Sequence, residues 1–292
     1  MSIGIVESHG WPAPAKLNLM LRIVGRRPDG YHLLQSVFQF LDVGDSLSFQ
    51  VNPTGRIRRV TGPDSIPEES DLVVRAATRL QQAANTAKGV DIRLDKRLPT
   101  GGGLGGGSSD AATTLVALNR LWGVGLGVDE LADIGLSLGA DVPVFIRGDA
   151  AWAEGVGEEL TPLELPEPWF LVLIPPCHVP TAAVFSTADL TRNAPRITIA
   201  DFFAGSEVND CVPVVARDYP EVRAALSALG EYARARLTGT GACVFAEFAS
   251  KDEAEEVLEK LKPEHRGFVA RGLNRSPLLA RVSANIGAWP SG

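Results

Sequence analysis

The sequence is short of the residues that cross-link a chain or bind metal. It has three cysteines and four histidines in 292 residues. Cys177, Cys211 and Cys243 stand far apart with no Cys-x-x-Cys pair, which excludes a zinc ribbon and leaves no disulfide framework. They read as small, reduced side chains of a cytoplasmic protein. Basic charge is also short. Lys and Arg number 28 against 35 Asp and Glu, a net charge of −7, so nucleic acid is not expected as a partner. Any anionic ligand must be held by local donors, not by a global positive field. No apolar run approaches the length of a membrane span, and the N-terminus lacks the basic-then-apolar pattern of an export signal. Neither membrane insertion nor export is expected. No internal repeat is visible, and nothing in the sequence marks an oligomeric state.

What the sequence has is glycine, concentrated in one place. Six of the ten residues from Gly101 to Asp110 are glycine. Glycine loses the most backbone freedom on ordering, so this stretch reads as a loop. Before it, Val90-Asp-Ile-Arg-Leu-Asp95 alternates apolar and polar like a half-buried strand, which Pro99 ends. After it, residues 111–122 read as a helix, with Ser108, Ser109 and Asp110 as candidate caps and Gly123 as the stop. A strand, a glycine loop and a helix start together make a phosphate site, because freed backbone N–H groups gather at the positive end of the helix. The competing reading is a flexible linker, but linkers are not normally bracketed by a strand and a capped helix. The Walker pattern fails because no lysine follows Gly107. A dinucleotide fingerprint on Gly101, Gly103 and Gly106 fails too. The acid about 20 residues further on, Asp129, opens a helix instead of ending a strand.

The rest of the chain frames this loop. Residues 13–24 form a strand with Leu17, Leu19, Leu21 and Ile23 on one face, so Lys16 and Asn18 share the other. That pair can hold an anion or a hydroxyl, or simply form a solvated face. A turn at 25–30 leads to a second strand over 31–40, opened by Tyr31 and His32, and a third over 46–51, with Asp42, Gly44 and Asp45 between them. Residues 52–70 read as a surface loop. Asp71 and Asp129 each open a helix. Asp141 follows the end of the second, where the dipole disfavours a negative charge, so it either caps the turn or carries chemistry. Three prolines in Thr161–Pro168 mark a linker. Beyond it come a strand over 169–174, a helix near 181–190, two helices across 207–229, a strand–glycine turn–strand over 236–248, a helix with Ser250 and Glu253 as a capping box, and a last strand over 267–273. The expected class is α+β in two domains, residues 1–160 and 161–292.

Pro14-Ala-Lys-Leu-Asn-Leu19, the loop at 101–110 and Leu237-Thr-Gly-Thr-Gly-Ala-Cys243 together resemble the three signatures of the galactokinase, homoserine kinase, mevalonate kinase and phosphomevalonate kinase (GHMP) superfamily. The wording of Pro28-Asp-Gly-Tyr-His32, residues 98–109 and Gly139-Ala-Asp-Val-Pro-Val-Phe145 is most similar to its 4-diphosphocytidyl-2-C-methyl-D-erythritol kinase branch. The resemblance spans Pro14 to about Pro277. It implies an N-terminal domain like ribosomal protein S5 domain 2, a ferredoxin-like C-terminal domain, and ATP between them. It also implies transfer of the γ-phosphoryl group of ATP to the 2-hydroxyl of the erythritol unit, in the non-mevalonate route to isoprenoid precursors.

Carried over by position, Asp141 is the expected catalytic base and Lys16 its partner. Pro99, Thr100, Gly101, Gly102, Gly103, Leu104, Gly105, Gly106, Gly107, Ser108 and Ser109 are expected to hold the ATP phosphates. Asn18, Tyr31, His32 and Phe185 are expected to line the cytidine and erythritol site, with Tyr31 and Phe185 as an aromatic sandwich for the base. Thr238, Gly239, Thr240 and Gly241 are expected to close the pocket. Magnesium is expected with ATP; Ser108 or Ser109 is a candidate ligand and no glutamate partner is assigned. Two alternatives stand beside this reading. One is another kinase of the superfamily, of homoserine or mevalonate type, which needs no aromatic-plus-imidazole clamp. The other is a nucleotide or metabolite sensor, which needs no base.

Overall fold

The computed structural model describes residues 6–284, so the outer ends of the two expected domain ranges lie outside the described residues. Its spine is a long antiparallel hairpin of β1 (Val6–Arg26) and β2 (His32–Asn52). The second and third expected strands are one continuous strand. Asp42, Gly44 and Asp45 lie inside it because β1 presses onto Gly44, where a Cβ would sit 2.7 Å from the Cα of Pro14. The pairing register shifts between Pro14 and Lys16, so a bulge absorbs the polar residues without breaking the ladder. The expected loop at 52–70 contains β3 (Ile57–Thr61), which pairs parallel with β4 (Gly89–Asp95). Between them runs α1 (Leu72–Ala83), capped by Asp71, whose carboxylate accepts from the Val73 N–H at 3.0 Å.

The glycine stretch divides. Gly105, at φ 70°, is the N-cap of α2 (Gly106–Leu121), so Gly106 to Asp110 are the helix's first turns and not loop. Ser108, Ser109 and Asp110 are therefore not caps. Next come α3 (Val128–Leu136), with Gly127 as N-cap and Asp129 in the first turn, and α4 (Val142–Arg147). Asp141 is the N-cap residue of α4. The dipole that meets it is thus the positive end of a new helix, opposite to the sequence expectation. The strands β5 (Ala151–Glu154) and β6 (Glu159–Pro162) complete this half.

The second half runs β7 (Trp169–Ile174), α5 (Thr181–Ser186), α6 (Ile199–Phe203), α7 (Val212–Asp218), α8 (Pro220–Gly230), β8 (Arg236–Leu237), β9 (Val244–Phe248), α9 (Lys251–Leu261), β10 (Arg266–Leu273) and α10 (Pro277–Ala284). Sequence reading did not foresee α6 or α10. Ser250 caps α9 as expected, accepting from the Glu253 N–H at 3.2 Å. The Glu253 carboxylate accepts from the Ala249 N–H at 3.3 Å, so the return bond of a capping box is shifted by one residue.

One mixed sheet joins the halves in the order β3-β4-β2-β10-β7-β9-β8. The joint is β10, which pairs with β7 over Arg266–Arg271 and then with β2 through Gly272 and Leu273. Apolar side chains form three clusters: one under α1 and α2, one between α7, α8, α9 and the β7–β9 sheet, and one along Leu17, Met20, Phe170 and Phe245 that ties both halves. Leu278 and Val282 of α10 return to the first cluster. Among the described residues no helix is long and apolar enough to cross a membrane.

Under the start of α2 lies a buried charge cluster. Lys96 Nζ donates to Asp45 Oδ2 at 2.6 Å and to Asp110 Oδ2 at 2.7 Å. Asp45 Oδ1 also accepts from the N–H groups of Arg97 and Leu98. Asp110 Oδ1 is buried with no partner. Burial pushes the Asp110 carboxyl up to about 7, against the pull of Lys96. The folded chain then holds a proton that the unfolded chain releases near the ordinary carboxylate range, about 4. Stability therefore falls as pH rises between about 4 and about 7. We expect Asp110→Asn to remove this contribution. Urea unfolding of both proteins at stepped pH should show the variant gaining on wild type through that window and levelling above it. A constant difference would contradict the assignment.

Candidate active site

The three signature segments converge on one carbonyl. The oxygen of Gly103 accepts from Lys16 Nζ at 3.2 Å and from the Thr238 hydroxyl at 3.1 Å. Beside it, Lys16 N–H donates to Leu104 O at 2.9 Å and Cys243 N–H to Gly102 O at 3.0 Å. The Thr238 hydroxyl accepts in turn from Asn18 N–H at 3.0 Å. Backbone packs on backbone here, since a Cβ on Gly103 would fall on the carbonyl oxygen of Thr238. Only glycine at φ 76° permits that approach.

Lys16 sits at the centre. Its side chain is 3% exposed; its ammonium donates to Asn18 Oδ1 and to Gly103 O, and it forms an ion pair with Asp141 Oδ2 at 3.2 Å. A buried ammonium has three donors and loses several kcal/mol of hydration, so it demands such partners. The Phe38 ring lies 5.3 Å away and shields it further. Asn18 is held from behind, its Nδ2 donating to Ser36 Oγ at 2.8 Å, which donates to Met20 O at 2.7 Å. Asp141 makes no cap bond in α4 and its side chain is 35% exposed, so its carboxylate is free to meet a ligand.

These groups open into a cleft of about 950 Å³. The start of α2 forms one wall. Its first turn carries no acidic residue, which leaves the N–H groups and the helix dipole for an anion. Residues Pro99 to Ser108 line the cleft, whereas Ser109 is turned into the helix packing, is fully buried and does not. Gly239 and Thr240 line it as well. Thr238 and Gly241 do not. Thr238 serves as the latch on Gly103, and Gly241 donates its N–H back to Thr238 O at 3.0 Å. Thr240 and Thr181 share a hydroxyl bond of 2.9 Å.

At the other end stand Tyr31, His32 and Phe185. Phe185 stacks on His32, with ring centroids 4.7 Å apart and an interplanar angle of 17°. Tyr31 is 62% exposed at the same end of the cleft. Burial, with Arg192 and Arg26 nearby, lowers the His32 pKa, which favours a neutral imidazole. Among the described residues there is no group of three or more His, Cys, Asp or Glu side chains able to hold a metal.

Sequence reading missed several supporting groups. Asn209 Nδ2 donates to Leu237 O at 2.9 Å and Gly239 O at 2.8 Å, fixing the second glycine turn. Its backbone bridges to Leu21 of β1. Its partners lie 28 and 30 residues ahead, so no local pattern announces them. Lys96, Ser36 and Arg192 escaped for the same reason.

The family model for the GHMP kinases N terminal domain matches residues 71–149, and that for the GHMP kinases C terminal matches residues 197–265. A 4-diphosphocytidyl-2-C-methyl-D-erythritol kinase of Ectopseudomonas mendocina is 59% identical over 273 residues, covering 94% of each chain. One from Methylococcus capsulatus is 58% identical over 268 residues, 91% of this chain and 92% of the other. The chain belongs to the 4-diphosphocytidyl-2-C-methyl-D-erythritol kinase family of the GHMP kinases. A crystal structure of a 4-(cytidine 5'-diphospho)-2C-methyl-D-erythritol kinase superposes with a TM-score of 0.76 at 32% identity, over 91% of this chain and 99% of that one. A mevalonate kinase crystal structure, at 15% identity and a TM-score of 0.67, shares the fold. The expected two-domain α+β GHMP architecture is therefore the architecture of this chain, and its family uses ATP.

In a kinase of this family the cap of α2 should be intolerant of bulk. A Cβ on Gly105 would lie 2.8 Å from Phe145 Cζ and 3.0 Å from Lys16 Cε, at a φ of 70° that disfavours side chains. We expect Gly105→Val to weaken ATP binding about 10–100-fold, the equivalent of 1–3 kcal/mol of local strain. Affinity for the phosphoryl acceptor should change little. Separate calorimetric titrations check this, and equal loss of both affinities would indicate general misfolding instead.

Proposed function

We propose that the chain transfers the γ-phosphoryl group of ATP to the 2-hydroxyl of 4-diphosphocytidyl-2-C-methyl-D-erythritol, giving the 2-phosphate and ADP. The setting is cytoplasmic synthesis of isoprenoid precursors by the non-mevalonate route. The observation that carries this reading is the Lys16–Asp141 ion pair beside the open start of α2, in one cleft with His32 and Phe185. In this reading residues 1–160 form the ATP-binding domain and 161–292 the domain that closes over it.

The turn from Gly101 to Gly105 and the start of α2 suit a phosphate chain, because the glycines leave backbone exposed and the first turn of the helix carries no acidic side chain. Tyr31, His32 and Phe185 receive the cytidine end, and Asn18, Gly239 and Thr240 the middle of the acceptor. Thr238 and Gly241 act from behind the wall, and Ser109 acts through packing. The acceptor hydroxyl then lies against Asp141. As the oxygen bonds to phosphorus and the bond to ADP breaks, its proton passes to the Asp141 carboxylate. Lys16 orients Asp141 and balances the negative charge gathered there. Ser108, which lines the cleft at the start of α2, would offer magnesium a protein oxygen alongside the phosphate oxygens. Bound magnesium neutralises charge on the transferring group.

An ADP-release assay with the cytidine substrate, homoserine and mevalonate tests the assignment. Turnover only with the cytidine compound is expected, and preference for either of the others, or no turnover, would overturn it. Within that assay we expect Asp141→Asn to lower kcat about 10²–10⁴-fold, the usual scale of general-base loss, with KM values and melting temperature little changed. A folded variant with near-normal turnover would exclude Asp141 as the base.

A further inference from the structure

Arg192 lies in the irregular segment between α5 and α6, half-buried, and every N–H of its guanidinium is engaged. Two donors go to Phe185 O at 2.9 Å and Thr187 O at 2.6 Å. Two more go to Ala188 O at 3.2 Å and Leu190 O at 3.1 Å. The fifth, on Nε, crosses to the other half of the chain and reaches His32 Nε2 at 3.2 Å. The same segment is pinned to β1 and β2 nearby, by Ala194 N–H to Ile23 O at 3.0 Å and Ile197 N–H to Gln35 Oε1 at 3.0 Å.

One side chain thus holds both members of the stacked ring pair. It clasps the carbonyl of Phe185 and it touches the imidazole of His32. The chemistry of that contact is directional. A guanidinium only donates, so His32 Nε2 must carry a lone pair and the ring proton must sit on Nδ1. An imidazolium has no lone pair to offer there and would face a second cation. We propose that Arg192 is the positioning residue of the cytidine end of the cleft: it fixes His32 as the Nδ1–H tautomer, flat against Phe185. The cytosine then meets a preformed ring pair and one defined donor, suited to its acceptor atoms O2 and N3. The cytosine part rests on the substrate reading above.

The charged groups acting on His32 are Arg192 from the α5–α6 segment and Arg26 from the end of β1. Burial, Arg192 and Arg26 all lower its pKa. Removing Arg192 therefore raises it and frees the tautomer.

The test is nitrogen-15 NMR of His32 in the full-length protein without substrate, together with steady-state kinetics. Wild type should show the Nδ1–H pattern. Arg192→Gln should shift His32 toward Nε2–H and raise its titration midpoint. It should raise KM for the cytidine substrate about tenfold, a loss of one directed contact, and leave KM for ATP unchanged. Arg192→Lys, which keeps the charge without the fork, should fall between. An Nε2–H pattern in wild type would overturn the proposal without any variant, so a variant that fails to fold does not shelter it. A tautomer that ignores Arg192→Gln, or a KM rise equal for both substrates, would overturn it as well. A wild-type protein with the Nδ1–H pattern but no turnover of the cytidine compound would instead overturn the substrate reading, and the cytosine role with it.

Discussion

A buried ammonium sets the terms for this structure. Lys16 has almost no access to water, yet it carries a charge whose removal from water costs several kcal/mol. The cost is offset only by oxygen partners, and each comes from a different part of the chain: hydrogen bonds to Asn18 on the same strand and to Gly103 in the glycine turn, and an ion pair with Asp141 at the cap of α4. Satisfying Lys16 therefore brings the phosphate turn and the acid together. The demand of one side chain for hydration substitutes assembles the place where a proton and a phosphoryl group can be exchanged.

The surrounding architecture serves that junction. The hairpin of β1 and β2 delivers Lys16 and Asn18 at a bulge, and β10 splices the second half into the same sheet. The latch from Thr238 to Gly103 then carries the second half onto the glycine turn, and Asn209 holds the latch strand in place. At the far end Arg192 makes the corresponding connection, from the α5 segment to His32. Each of these two ties runs from a side chain of the second half to a group of the first, Thr238 to Gly103 O and Arg192 to His32 Nε2. Such ties are directional, which lets a cleft of about 950 Å³ keep a defined shape between two apolar cores.

Much of this was legible in the sequence where the cause was local. The glycine stretch announces itself because no side chain can stand where backbone must approach backbone, and Lys16 and Asn18 share a face because strands alternate. Asp71 and Ser250 cap their helices as read. Reading failed where the partner was remote. The α2 helix starts five residues early, at Gly106, because tertiary contacts hold glycines that propensity would reject. The β2 strand runs through Asp42, Gly44 and Asp45 because β1 packs against Gly44, and nothing within the segment shows that. The charge on Asp141 looked misplaced until α4 appeared after it. The stacking of Phe185 on His32 was not legible either, because Arg192, which holds both, lies 160 residues from His32.

If Lys16 organises the site, replacing it should loosen the glycine turn and not merely remove a charge. The direct measurement is amide hydrogen exchange across residues 99–110 in Lys16→Met, beside kcat for the same protein. A folded variant with faster exchange confined to this turn, and kcat lower by about 10²-fold or more, is the expected result. Unchanged exchange at the turn with near-normal kcat would contradict the central place given to Lys16.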